Sequence, residues 1–191
     1  MKKIILIDAC MRGDDSRTRK LTQGIVSAID KDNSIKVIDL SSLNLSAYTR
    51  TNNPTNQPIE ERFINLSKEI ANSDGIIISA PFWDMSFPSL LKVFLEKLSI
   101  AEVMFIDNKK TCVGISNIPF MFLITTRGMD IPDDSELEQF SPYLRALCHL
   151  WGIQKFDQVS AYNLDYSTPQ EIEEKINHSI EIGIEKLNKL M

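Results

Sequence analysis

The sequence predicts an α/β fold, a doubly wound parallel sheet of five strands in the order 2-1-3-4-5 with helices on both faces. Three observations predict it. Strand-like and helix-like stretches alternate along the chain, the pattern of consecutive βαβ units. Several strand-like stretches are continuous apolar runs, as in strands buried on both faces. The 191 residues, 43% apolar and 25% charged, suit one globular domain spanning 1–191.

Each element has its own signal. "KIILI" reads as the first strand. A helix over 16–30 follows, with Leu21, Ile25 and Ile29 on one face and Ser16 as N-cap. "IKVIDL" (35–40) is the second strand. Residues 41–57, rich in Asn, Ser and Thr and punctuated by Pro54 and then Pro58, form a long surface loop, a length uncommon without a purpose. Ile59, Phe63, Leu66 and Ile70 place the second helix over 59–72. "DGIIISAP" (74–81) is the third strand, and Pro88 opens a third helix over 88–98. "PFMFLITTRG" (119–128) is the fourth strand with its exit turn. A fourth helix over 137–151 and a fifth strand, "FDQVSAYNL" (156–164), follow. The last helix runs over 169–190, started by Thr168 and Pro169 with Glu171 in capping-box position.

Composition excludes several classes. A net charge of −5 and a pI near 5.1 argue against a nucleic-acid binder. No apolar run approaches the roughly 20 residues of a membrane span. The N-terminal apolar stretch is short and interrupted by Asp8, so it reads as a strand of a cytoplasmic protein and not as a signal peptide. The three cysteines, Cys10, Cys112 and Cys148, are too widely spaced for a disulfide framework or a zinc pattern, and two distant histidines make no metal site.

In a doubly wound sheet, ligands bind beyond the carboxyl ends of the strands, at the switch point. Three exits are therefore informative. After the first strand, "ACMRGDDSRTRKL" puts Ser16, Arg17 and Thr18 at a helix start, with Arg12 across the turn. Free N–H groups and the helix dipole favour an anion there, so this is either a phosphate cradle or a capped helix with solvated charges. Neither a nucleoside-triphosphate loop nor a GxGxxG dinucleotide loop is present. After the third strand, Phe82, Trp83, Met85 and Phe87 either face a flat aromatic ligand or pack on the third helix or another subunit. After the fourth, Thr125, Thr126 and Arg127 offer donors and Gly128 permits close backbone approach. Phosphate cradle, aromatic wall and polar edge together match the needs of FMN.

In these segments the chain resembles the flavodoxin-fold NAD(P)H:quinone oxidoreductases, specifically the FMN-dependent NADH-azoreductase branch, nearly end to end. That family's phosphate loop ends in a hydroxyl–x–hydroxyl triplet before a leucine, here Ser16-Arg17-Thr18 and Leu21. Its aromatic loop, A-P-x-Y-N-x-x-x-P-x-x-L-K, is here Ala80 to Pro88 with Leu91 and Lys92. Its S-R-G-G is here Thr126 to Met129, and "FSPYLRALCHLWGI" (140–153) matches its fourth helix. Three positions depart: a family serine is Cys10, the aromatic-loop asparagine is Asp84, and the second glycine is Met129. Cys10 is either a thiol of lowered pKa or a small buried filler.

The resemblance implies a flavodoxin-like fold with FMN held by Cys10, Arg12, Ser16, Arg17 and Thr18, by Pro81, Phe82, Trp83, Asp84 and Met85, and by Thr125, Thr126, Arg127 and Gly128. It implies two-electron transfer from NADH or NADPH to a quinone or azo acceptor, with the flavin and not a side chain as the catalytic centre. Two other classes share the fold: a flavodoxin-like electron carrier, and a flavin-free binding domain. The third helix adds an expectation of a homodimer. Leu90, Leu91, Val93, Phe94, Leu95 and Leu98, broken only by Lys97, span a wider arc than one core face requires, so the remainder must meet a loop, the "VMFI" segment (103–106) or another chain.

Overall fold

The computed structural model describes every residue except Asp30 and Asn56. Strands β1 (Lys3–Asp8), β2 (Ser34–Asp39), β3 (Gly75–Ser79), β6 (Phe120–Thr126) and β7 (Lys155–Ala161) form one sheet in the order β2-β1-β3-β6-β7. All its pairs are parallel, with Ile4 opposite Ile35 on one side and Gly75 on the other. In terms of the five predicted strands this is the order 2-1-3-4-5. Two short strands absent from the prediction, β4 (Phe105–Asp107) and β5 (Cys112–Gly114), form a separate antiparallel hairpin.

The helices are α1 (Arg17–Ile29), α2 (Glu61–Ala71), α3 (Ser89–Leu98), α4 (Phe140–Trp151) and α5 (Pro169–Leu190). Alternation along the strands decides which helix packs where. Ile4, Leu6, Ile77, Phe122 and Ile124 face a cluster with Leu21 and Ile25 of α1 and Ile176 and Leu187 of α5. Ile5, Ile7, Ile76, Ile78, Met121 and Leu123 face the opposite cluster, with Phe63 and Ile70 of α2, Phe94 and Leu95 of α3 and Leu144 of α4. Both faces are apolar because both are covered, which is why the strands read as unbroken apolar runs.

The helix ends follow local chemistry. Ser16 Oγ accepts from the Arg19 N–H at 3.2 Å, so α1 begins at Arg17, and Asp30, the last residue of the predicted helix, lies outside the described residues. Thr168 and Glu171 close a full capping box on α5. The fourth helix starts three residues later than predicted, because the Glu138 carboxylate accepts the N–H groups of Phe140 and Ser141 at 2.8 and 3.0 Å.

The apolar arc of α3 is largely covered within the chain: Leu91, Phe94, Leu95 and Leu98 are fully buried. Met104 of the "VMFI" segment contributes to the same cluster. The long loop after β2, whose Asn56 lies outside the described residues, lays Tyr48 over this helix. The Lys97 ammonium, 3% exposed, sits 4.5 Å from the Tyr48 ring centroid and 5.0 Å from that of Phe63, with Glu60 at 3.8 Å.

Candidate functional site

The carboxyl ends of β1, β3 and β6 bring their exit loops against one another. The N–H of Phe82 donates to the Thr126 carbonyl at 3.0 Å, so the aromatic loop continues the β3–β6 pairing. The Thr18 and Thr126 hydroxyls are 2.6 Å apart and tie α1 to the end of β6. Thr22 Oγ1 bonds Ser79 Oγ at 2.7 Å, and Cys10 Sγ lies 3.3 Å from the same hydroxyl.

These loops enclose a cavity of about 140 Å³ lined by Met11, Arg12, Ser16, Arg17, Thr18, Pro81, Phe82, Trp83, Thr126, Gly128 and Asp165. Nine of these were expected from the sequence; Met11 and Asp165 were not. At the cradle the Ser16 hydroxyl caps Arg19, and the N–H groups of Arg17 and Thr18, first in the helix, have no backbone acceptor among the described residues. The capped-helix and phosphate-cradle readings are thus compatible: one residue caps while the next two present N–H groups and the positive end of the helix dipole.

Beneath the cradle the Arg19 guanidinium joins two strand ends. It lies 2.8 Å from Asp8 at the end of β1 and 3.4 Å from Asp39 at the end of β2. Burial works against its charge, but these carboxylates hold its pKa above the ordinary value. Asp8 also accepts the Cys10 N–H at 2.8 Å, which fixes the strand exit. The Cys10 thiol is 2% exposed, and burial pushes its pKa up to about 12. Of the two readings of Cys10, the geometry gives the buried filler.

Other expected residues stand off the cavity. Asp84 and Met85 form the tip of a two-residue hairpin, closed by hydrogen bonds between Trp83 and Ser86 at 3.2 and 2.8 Å. Both have positive φ, 49° and 63°, the pattern of a type I′ turn. The turn presents Trp83, 41% exposed, at the cavity mouth. Thr125 is fully buried, and its hydroxyl has no hydrogen-bond partner among the described residues. Arg127 is buried with its guanidinium turned inward. It donates to the Ile131 carbonyl at 2.6 Å, pairs with Asp133 at 2.7 Å and stacks on Phe82 at 5.3 Å. Its charge supports the aromatic wall from behind.

Asp165 comes from the turn between β7 and α5. Its carboxylate pairs with Arg17 at 2.7 Å, and its N–H donates to the Gly128 carbonyl at 2.9 Å. A Cβ on Gly128 would lie 1.9 Å from Asp165 Oδ2, so the carboxylate occupies the space that a side chain at 128 would fill. The sequence carried one pointer to it: the fifth strand ends on the same edge of the sheet as the other three.

Comparison with known proteins agrees with this architecture. A family model described as a flavodoxin-like fold matches residues 2–182. An FMN-dependent NADH:quinone oxidoreductase of Clostridium perfringens is 28% identical, covering 99% of this chain and 100% of that protein. One of the same name from Vibrio parahaemolyticus is 24% identical over 86% of this chain and 89% of its own. Among solved structures, an FMN-dependent NADH-azoreductase from Bacillus anthracis, in complex with FMN, superposes with a TM-score of 0.83 at 20% identity, covering 98% of this chain and 99% of its own.

Proposed function

Because the chain belongs to the flavodoxin-like fold family, we propose that it is an FMN-dependent NAD(P)H oxidoreductase acting on quinones, azo compounds or similar acceptors, a single domain over 1–191. The observation that carries this is the convergence of three strand exits on one cavity. It supplies helix N–H groups with Arg12 and Arg17, a wall of Phe82 and Trp83, and an edge of Thr126 and Gly128. The relatives' names agree with it.

The donor set fits FMN. The N–H groups of Arg17 and Thr18 and the charges of Arg12 and Arg17 suit a phosphate monoester. Phe82, 7% exposed and backed by Arg127, offers a fixed apolar face. Bound there, FMN would supply the two-electron redox chemistry between NADH or NADPH and the acceptor. The protein's part is to bind, orient and tune. Cationic side chains at the cradle favour an anionic ligand. Trp83, half-exposed at the mouth, shapes the space open to donor and acceptor in turn.

The assembly we infer is a homodimer. What supports it is an apolar groove of about 450 Å³ between α3 and α4, lined by Tyr48, Pro54, Tyr143, Leu147 and Leu150 and open in the single chain. We assign the protein to the cytoplasm on its free thiols, including the exposed Cys112. Among the described residues no helix is long and apolar enough to cross a membrane.

The test is the visible spectrum of the purified protein, followed by anaerobic NADH. A flavin spectrum that bleaches and returns on adding a quinone, with no partner protein, is the expected result. A flavin spectrum unmoved by NADH and NADPH would favour the electron carrier. A colourless protein that takes up no FMN would favour the flavin-free domain.

A further inference from the structure

We propose that Asp133, which lies outside the cofactor cavity, is a positioning residue for its aromatic wall: Asp133 holds the Arg127 guanidinium, and the guanidinium holds Phe82. The inference rests on the FMN reading above and adds what keeps the wall in place.

These residues form a chain from the edge of the sheet to the cavity. Ser160, in the edge strand β7, donates its hydroxyl to Asp133 Oδ1 at 2.8 Å. The same oxygen accepts from Arg127 Nη2 at 2.7 Å. The guanidinium carbon lies 5.3 Å from the centroid of the Phe82 ring. Phe82 lines the 140 Å³ cavity at the strand exits, whereas Asp133, Ser160 and Arg127 do not. Asp133 and Ser160 line a different space, a groove of about 540 Å³ along β7 and α5. The route from Asp133 to a ligand in the cavity therefore runs through Arg127.

Arg127 depends on this one carboxylate. Its side chain is completely buried, and Asp133 is the one acid within ion-pair distance of it among the described residues. The Ile131 carbonyl takes a second N–H at 2.6 Å, and Nε has no partner among the described residues. A buried cation that loses its counter-charge is strongly disfavoured. Without the carboxylate the guanidinium keeps a single backbone acceptor, and it moves toward water. Phe82 then loses the cation on its face. The backbone of the aromatic loop is held separately, because the Phe82 N–H donates to the Thr126 carbonyl at 3.0 Å. The loop stays, and the ring is what loosens. Asp133 itself is 40% exposed, so its replacement opens no cavity in the core.

The test is titration of the full-length protein, stripped of flavin, with FMN and with riboflavin, followed by flavin fluorescence. Asp133→Ala should weaken both flavins by the same factor, about two- to tenfold, the weight of re-ordering one loosened side chain on binding. The equal factor is the signature of the wall, because both flavins carry the ring and only FMN carries the phosphate. Arg127→Met should lose about as much. In that background no buried charge needs a partner, so adding Asp133→Ala should change neither affinity further. A residue that merely stabilised the loop would act in both backgrounds. Asp133→Asn keeps the shape and an acceptor oxygen. It should show the same pattern with a smaller factor, and it carries the comparison if Asp133→Ala does not fold. Wild-type affinity for both flavins in the Asp133 variants, a loss confined to FMN, or the same loss with and without Arg127 would overturn the inference and leave the FMN reading standing. Wild type binding neither flavin would overturn both.

Discussion

The hydroxyls of Thr18 and Thr126 lie 2.6 Å apart, buried, and join the first turn of α1 to the last residue of β6. Two of the three exit loops are thereby held in one arrangement. Thr18→Val leaves the Thr126 hydroxyl without this partner and Thr126→Val does the converse, and each should cost about 1–3 kcal/mol of stability. The double variant Thr18→Val with Thr126→Val should lose less than the two single losses combined, because neither polar group remains. Urea unfolding of the four proteins measures this coupling, and strict additivity would contradict it.

Ser16 caps the helix, so its replacement has two separable effects. Ser16→Ala should cost about 1 kcal/mol of stability, and Ser16→Gly only a few tenths. Ser16→Ala also removes a hydroxyl proton at the cradle and should weaken FMN by roughly 1.5–3 kcal/mol, the weight of one hydrogen bond to a charged group. Riboflavin, which lacks the phosphate, should be weakened less. Equal losses for both ligands in fluorescence titration would argue against a phosphate cradle.

The hairpin at Asp84-Met85 places a methionine in left-handed backbone, with φ of 63°. That conformation costs a side-chain-bearing residue roughly 1–2 kcal/mol and glycine almost nothing. Met85→Gly should therefore raise the melting temperature. Asp84→Asn also suits this turn and removes a negative charge near the proposed flavin, so it should raise the FMN midpoint potential. An unchanged potential in redox titration would mean that the carboxylate does not act on the ring.

Burial pushes the thiols of Cys10 and Cys148 up to about 12, from an ordinary value of 9.0. A raised folded pKa means that the native state keeps its proton where the unfolded chain has lost it. The resulting stability is complete below pH 9 and is lost as pH rises from about 9 to 12. Each thiol should steepen that alkaline loss by up to about 1.4 kcal/mol per pH unit. Cys10→Ser with Cys148→Ala should flatten the pH profile of unfolding across this window. In the native protein at pH 8 a thiol reagent should modify the exposed Cys112 first, and rapid labelling of all three would contradict the burial.

The dimer inference is testable at the groove. Leu91 and Leu95 are fully buried in the chain's own core, so a glutamate at either would unfold the protein and leave the interface untested. Leu150 lines the groove and is only partly buried. Wild type should scatter light as a dimer at micromolar concentration and Leu150→Glu as a monomer. A monomeric wild type would remove the inference, and a dimeric Leu150→Glu would move the interface elsewhere.

The sequence by itself determined the sheet and its order, because a strand covered on both faces must be apolar throughout, as "KIILI" and "GIIIS" are. It also determined where to look, since helix caps and glycines act locally and Ser16, Thr168 and Gly128 are readable one at a time. The β4–β5 hairpin escaped because its strands are three residues each and partly exposed, too short for periodicity to register. Tertiary structure alone decided the direction of Arg127, since a guanidinium at a loop serves a ligand or its own chain equally well until Asp133 and the Ile131 carbonyl are in place. It decided what covers α3, where the periodicity marks an apolar arc but does not say that Tyr48 and Lys97 meet over it. It decided Asp165 as well, 148 residues from Arg17 along the chain. Propensity and spacing act over a few residues, whereas the charge of a site is assembled by register and crossover, and these exist only once the sheet has formed.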